Sequence, residues 1–234
     1  MSDLARIRRF NRAVTRETGA MEESFLGRGR PLGAARVLWA IVEGGRDVAE
    51  IRAELALDSG LMSRLLRGLE AEGLALVEAD PADRRRRRAV LTPAGRAEKA
   101  AYDRLNDAMA ARMLARAPRH HTALLAAMDL VAVTLNSDRI EIAVADPEDA
   151  AARACLAAYF RLLSERVPGV SAAVVPDPDP DAGLFRPPSG IFLLAWCDRL
   201  PVGCVSLKPL APGLGEVKRL WVDPAARGLG LPAA

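Results

Sequence analysis

Five consecutive arginines, Arg84 to Arg88, form the densest charge in the chain. Like charges crowded on so short a segment repel one another and favour an anionic partner, whereas a plain solvated loop is the simpler alternative. Upstream, Ser59, Ser63, Arg64 and Arg67 alternate with Leu61, Leu65, Leu66 and Leu69. That spacing gives a helix one polar and one apolar face. An arginine on the polar face can reach guanine O6 and N7 through two parallel hydrogen bonds, and serine suits a phosphate or a base edge. Surface pairing of Arg64 and Arg67 with Glu70 or Glu72 is the competing reading. Residues 1–139 hold 24 Lys and Arg against 19 Asp and Glu, a net +5, while residues 140–234 hold 9 against 11, a net −2. The positive excess therefore travels with the arginine run.

A second set of chemically capable residues lies near the other end. Residues 216–230 read Glu-Val-Lys-Arg-Leu-Trp-Val-Asp-Pro-Ala-Ala-Arg-Gly-Leu-Gly, which predicts a strand, a turn and a glycine-rich loop poised to begin a helix. Backbone amides at such a place point at an anion, and glycine lets a phosphate approach closely. Glu216, at the start of that strand, is the candidate general base, since a carboxylate there can take a proton directly or through water. Pairing with Lys218 or simple exposure is its alternative. Trp221 and Cys204 read as core residues first.

The elements that must position these groups follow from periodicity and capping. Leu4, Ile7, Phe10, Val14 and Met21 predict a helix from Asp3 to about Phe25, and a second runs from Gly33 to Glu43 until Gly44 and Gly45 end it. Asp47 can cap a helix from Val48 to Leu55, and Asp58 or Ser59 the next, which reaches Gly73. A strand from Leu74 to Val77, the turn Asp80, Pro81, Ala82, Asp83, and a returning strand Ala89 to Leu91 make a hairpin whose tip is the arginine run. Thr92 and Pro93 open a long helix to about Leu114, and Thr122 to Leu135 forms another with more apolar surface than a small domain covers by itself. A boundary is expected at Asn136 to Asp138. Beyond it come a strand from Arg139 to Ala145, an Ala-rich helix from Asp146 to Val167, a Pro- and Asp-rich loop from Pro176 to Pro188, and strands at Ile191–Trp196, Val202–Lys208 and Val217–Val222.

Helix, turn, helix, hairpin is the order of a winged helix-turn-helix, whose second helix enters the major groove. The details resemble the multiple antibiotic resistance regulator (MarR) family: Leu69, Glu70, Gly73 and Leu74 at the end of the second helix, Asp83 and Arg85 in the wing, then Leu91, Thr92 and Gly95. The resemblance runs from about Leu4 to Leu135. It implies that Arg85 meets DNA, that Asp83 helps hold the wing, and that the terminal helices form a homodimer. Contact by Arg84, Arg86, Arg87 and Arg88 is inferred from charge alone.

The run from Glu216 to Gly230 resembles the acetyl-CoA signature of the GNAT superfamily of acetyltransferases. That resemblance implies that Leu220, Trp221 and Val222 pair with the pantetheine arm and that Arg227, Gly228, Leu229 and Gly230 hold the pyrophosphate. Pro232 departs from the pattern, because proline lacks the amide a phosphate would use. The signature lies close to Ala234, so the acetyltransferase part is expected to be only the front of its fold.

The expected architecture is α+β: a mostly helical winged helix-turn-helix domain at 1–138, followed by a partial mixed α/β GNAT-like domain at 139–234. The expected function is a MarR-type DNA-binding transcriptional regulator with an attached acetyl-CoA-dependent N-acetyltransferase-like domain. One alternative is an amine N-acetyltransferase in its full-length form, using the winged helix for targeting or regulation. Another is a C-terminal remnant that binds nothing. Expected partners are double-stranded DNA, a second copy of the chain, and acetyl-CoA as substrate with an amine acceptor. Cys155, Cys197 and Cys204 are odd in number and, like the adjacent His120 and His121, lack metal-ligand spacing, so neither disulfides nor a metal is expected. With no apolar run long enough for a membrane span and no signal-peptide core, the cytoplasm is the expected location.

Overall fold

The computed structural model describes residues 2–80, 83–167 and 179–230. They divide into two compact units, Met1–Pro118 and Arg119–Ala234.

The first unit begins with α1 (Asp3–Thr18), capped by the Ser2 hydroxyl. The helix predicted through Phe25 stops seven residues earlier because Gly19 takes a left-handed conformation, φ +62°, and turns the chain. Phe25 is thereby sent into the core instead of along a helix face. After α2 (Leu32–Ala40) come a two-residue strand, β1 (Arg46–Asp47), then α3 (Val48–Glu54) and α4 (Ser59–Ala71). The hairpin β2 (Ala75–Ala79) and β3 (Arg87–Leu91) leads into α5 (Pro93–Ala115). The strands form an antiparallel sheet in the order β1-β3-β2, with Asp47 opposite Arg88 and Val77 opposite Ala89. This is the winged helix-turn-helix expected from the sequence.

Its core gathers Phe25, Val37, Leu38, Ile41, Ile51, Met62, Leu66, Leu69 and Tyr102. The Tyr102 ring stacks on Phe25 at 6.0 Å and meets Trp39 edge-on at 5.5 Å, arrangements that ring quadrupoles favour. Glu98 is buried beside them and is neutralised by Arg28 and Arg30.

The second unit opens with α6 (His121–Leu135), followed by β4 (Glu141–Val144), α7 (Ala150–Arg166), β5 (Ile191–Cys197), β6 (Leu200–Ala211) and β7 (Leu214–Val222). The four strands make an antiparallel sheet in chain order. One group of side chains from it, Phe192, Leu194, Cys204 and Trp221, packs with Ala152, Cys155 and Leu156 of α7. A second group, Ala195, Cys197 and Val202, packs with Val133 of α6 and Ala226. The sequence boundary at 138/139 groups α6 with the winged helix. By packing it falls with the second unit, through Val133 in its last turn.

Candidate functional site

Local capping sets the helix-turn-helix. The Asp47 carboxylate accepts from the amides of Ala49 (2.8 Å) and Glu50 (3.1 Å) at the start of α3, and Asp58 accepts from Leu61 (2.9 Å) at the start of α4. At the far end of α4, Gly73 sits at φ +69°. Its amide and that of Leu74 bond back to the carbonyls of Glu70 and Leu69, the two-bond helix stop that a left-handed glycine permits. The Glu70 carboxylate accepts from the Val77 amide at 3.0 Å and so ties the recognition helix to the wing. Thr92 donates to the Gly73 carbonyl at 2.6 Å and accepts from the Gly95 amide. A Cβ on Gly95 would stand 1.9 Å from the Leu74 carbonyl oxygen, so only glycine lets α5 approach there. Each residue of the Leu-Glu-x-x-Gly-Leu and Leu-Thr-x-x-Gly patterns is thus accounted for by a contact, a turn or core packing.

Between α3, α4 and the wing lies an open groove of about 730 Å³. Ser59, Ser63 and Arg67 line it from α4, and Arg85, Arg86 and Arg87 from the wing. Arg64 is exposed on α4 outside the groove. Arg52 of α3, not singled out by sequence, lines the groove as well; a single cation near the end of a short helix offered no pattern to find it by.

The five arginines are not equivalent. Arg87 and Arg88 belong to β3, so the hairpin tip is shorter than the run. Asp83 accepts from the Arg85 amide at 3.0 Å and shapes the turn, of which Pro81 and Ala82 lie outside the described residues. Arg86 bonds to Asp47 and Glu50. Arg88 is half-buried over the Gly44–Gly45 turn, where a Cβ on Gly45 would come within 2.8 Å of its Nε. Arg84 and Arg88 do not line the groove.

In the second unit Glu216 is half-buried, opposite Lys208 across the sheet, with Oε2 3.6 Å from Lys218 Nζ. Leu220, Trp221 and Val222 border a shallow depression of about 40 Å³ with Ile142, Leu193 and Gly203. The Trp221 side chain is in the core, and the residue pairs with Cys204 of β6. Asp223 caps the following turn by accepting from the Ala225 amide at 2.8 Å. Arg227 donates to the Val222 carbonyl at 3.2 Å. Gly228 (φ +83°) and Gly230 (φ +80°) flank Leu229, which requires glycine at both places although a Cβ would meet nothing. Residues 227–230 form a turn and bend; Pro232 lies outside the described residues, as do residues 176–178 of the Pro-rich loop.

Cys155, Cys197 and Cys204 are free and buried. The Cys155 thiol and burial together push the Cys204 thiol up. No cluster of metal-type ligands occurs among the described residues, and no helix among them is long and apolar enough to cross a membrane.

Two family models match the chain: the MarR family at residues 28–86 and the acetyltransferase (GNAT) family at residues 156–232. No curated protein matches it. Similar solved structures include a MarR family transcription regulator, 24% identical over 56% of this chain and 87% of that one, with a TM-score of 0.47. Others are the transcriptional regulator BldR from Sulfolobus solfataricus (17% identity, 49% and 86% covered, TM-score 0.41) and YusO protein from Bacillus subtilis (22% identity, 53% and 90% covered, TM-score 0.40). The chain carries a MarR-family segment in its first unit and an acetyltransferase (GNAT)-family segment in its second.

Proposed function

We propose that the chain is a cytoplasmic, dimeric transcriptional regulator that binds double-stranded DNA through its first unit and carries an acetyl-CoA-dependent N-acetyltransferase-like unit. The observation that carries the DNA reading is the groove in which Ser59, Ser63 and Arg67 face Arg85 and Arg87. Side chains from a helix and a wing then address base edges and phosphates at once. Dimerisation is supported by α1, which buries none of its residues and leaves Leu4, Ile7, Phe10 and Val14 exposed. An apolar stripe of that length calls for a partner surface, and a second copy supplies one.

The test is fluorescence anisotropy of a labelled duplex across a range of salt. Replacing Arg85 and Arg87 with Ala is expected to weaken binding to every sequence and to reduce the slope of log K against log salt by about 1.8, two phosphate neutralisations. An unchanged affinity and slope would refute the reading.

The acetyltransferase reading is supported by the Asp223-capped turn leading into the left-handed glycines 228 and 230. In it, acetyl-CoA is the substrate, the acceptor is an amine, Arg227 to Gly230 hold the pyrophosphate, Leu220 to Val222 pair with the pantetheine arm, and Glu216 serves as general base. Calorimetric titration with acetyl-CoA is expected to give binding that Arg227→Ala weakens; no heat from the intact chain would leave the winged helix as the working part.

A further inference from the structure

Four hydrogen bonds hold Arg86. Its Nε lies 3.0 Å from Asp47 Oδ2 and its Nη2 3.0 Å from Glu50 Oε1. Its backbone amide donates to the Asp83 carbonyl and its carbonyl accepts from the Asp80 amide, both at 2.9 Å. Asp47 is already spoken for by the first turn of α3, so Arg86 fastens the wing to the helix cap itself. Glu50 also lies 3.9 Å from Arg46, leaving Arg86 as its closer cation.

We propose that Arg86 is a positioning residue, a strut that sets the wing against α3, and not one of the DNA contacts. Two carboxylates consume its charge, so it has little to offer a phosphate. Its removal would also uncover the Asp47 carboxylate, which lines the groove and would repel one. With Arg86 in place, Arg85 and Arg87 stand at a fixed span from Arg67 and the α4 serines. Exposed ion pairs add little to stability; the strut's effect is on geometry. Its consequence for binding rests on the DNA reading above, whereas the strut itself rests on bonds within the first unit.

Charge counting and the strut predict opposite signs for one substitution, Glu50→Gln. If Arg86 touched DNA, Glu50→Gln would remove one of the two carboxylate charges that hold it and tighten binding, and Arg86→Ala would flatten the salt slope by about 0.9. With a strut, both Arg86→Ala and Glu50→Gln in the full chain weaken binding to a labelled mixed-sequence duplex, by roughly 5-fold, the size of one pairwise coupling. The salt slope stays as in the parent. Hydrogen exchange of residues 83–91 without DNA is expected to quicken in both variants at unchanged melting temperature. Tighter binding by Glu50→Gln, a flattened slope in Arg86→Ala, or unaltered exchange would each overturn the strut. If the parent chain fails to bind duplex DNA, the DNA reading falls, and the exchange measurement alone decides the strut.

Discussion

Arg219 and Asp179 form an ion pair inside the second unit, with side-chain exposures of only 10% and 4%. Arg219 stands at φ +57° where the register between β6 and β7 shifts, and its guanidinium lies 4.1 Å from the centre of the Phe185 ring. The bulge directs the guanidinium to the segment that carries Asp179 and Phe185. Removing one partner strands a buried charge, at a cost of roughly 3 kcal/mol, whereas removing both costs much less. Asp179→Ala is therefore expected to speed hydrogen exchange across β5–β7, and Asp179→Leu combined with Arg219→Met to recover most of the loss. Equal loss in the single and double variants would show that the pair's charge is not the cause.

The first unit has its own buried carboxylate. Hydrogen bonds from Arg28 and then Arg30 outweigh desolvation and hold the Glu98 carboxyl down at about 2, against an ordinary 4.5. Because the folded value is the lower one, the unfolded chain takes up the proton first as pH falls. The stability Glu98 supplies is complete above about pH 5.5 and is lost as pH drops through 4.5 towards 2. Melting temperatures of the parent and Glu98→Gln should differ most near neutrality and converge only as pH approaches 2. A gap independent of pH would place the effect in packing, not charge.

Gly95 tests how closely α5 must approach the hairpin. Alanine there would put Cβ 1.9 Å from the Leu74 carbonyl oxygen, backbone that cannot swing aside. Gly95→Ala should destabilise the first unit by roughly 2–3 kcal/mol, the usual scale of forced overpacking, read by urea unfolding followed through Trp39 fluorescence with Trp196 and Trp221 replaced by Phe. Gly68→Ala, where a Cβ meets nothing, is the matched control and should be neutral or stabilising.

What could be read from the sequence was what acts locally. Asp47 and Asp58 cap their helices as expected, and the glycine-ended α4 and Thr92-capped α5 follow from neighbours within a few residues. The misses are non-local. β1 is a strand only because Asp47 pairs with Arg88. Arg86 looked like its neighbours because its partners, Asp47 and Glu50, lie 39 and 36 residues away. The Arg219–Asp179 pair spans 40 residues and had no sequence signal at all. α6 carries apolar residues all round, so periodicity could not say which core it would join, and its last turn settled on the sheet of the second unit.

The recognition helix yields the remaining prediction. Arg64 and Arg67 are three apart on α4, yet only Arg67 lines the groove with Arg85 and Arg87, and it donates to the Ser63 carbonyl at 3.3 Å. The sequence offers both as candidates for base reading. We propose that Arg67, which lines the groove, is the one that reads a base. Sequences selected from a random duplex pool by the parent, Arg64→Ala and Arg67→Ala should show relaxed preference at one base pair for Arg67→Ala, with a loss of about 1–3 kcal/mol at that position, as removal of a bidentate guanine contact would give. Arg64→Ala should keep the parent's preference. If instead Arg64→Ala relaxes the preference and Arg67→Ala leaves it intact, DNA is read from the flank of α4 outside the groove.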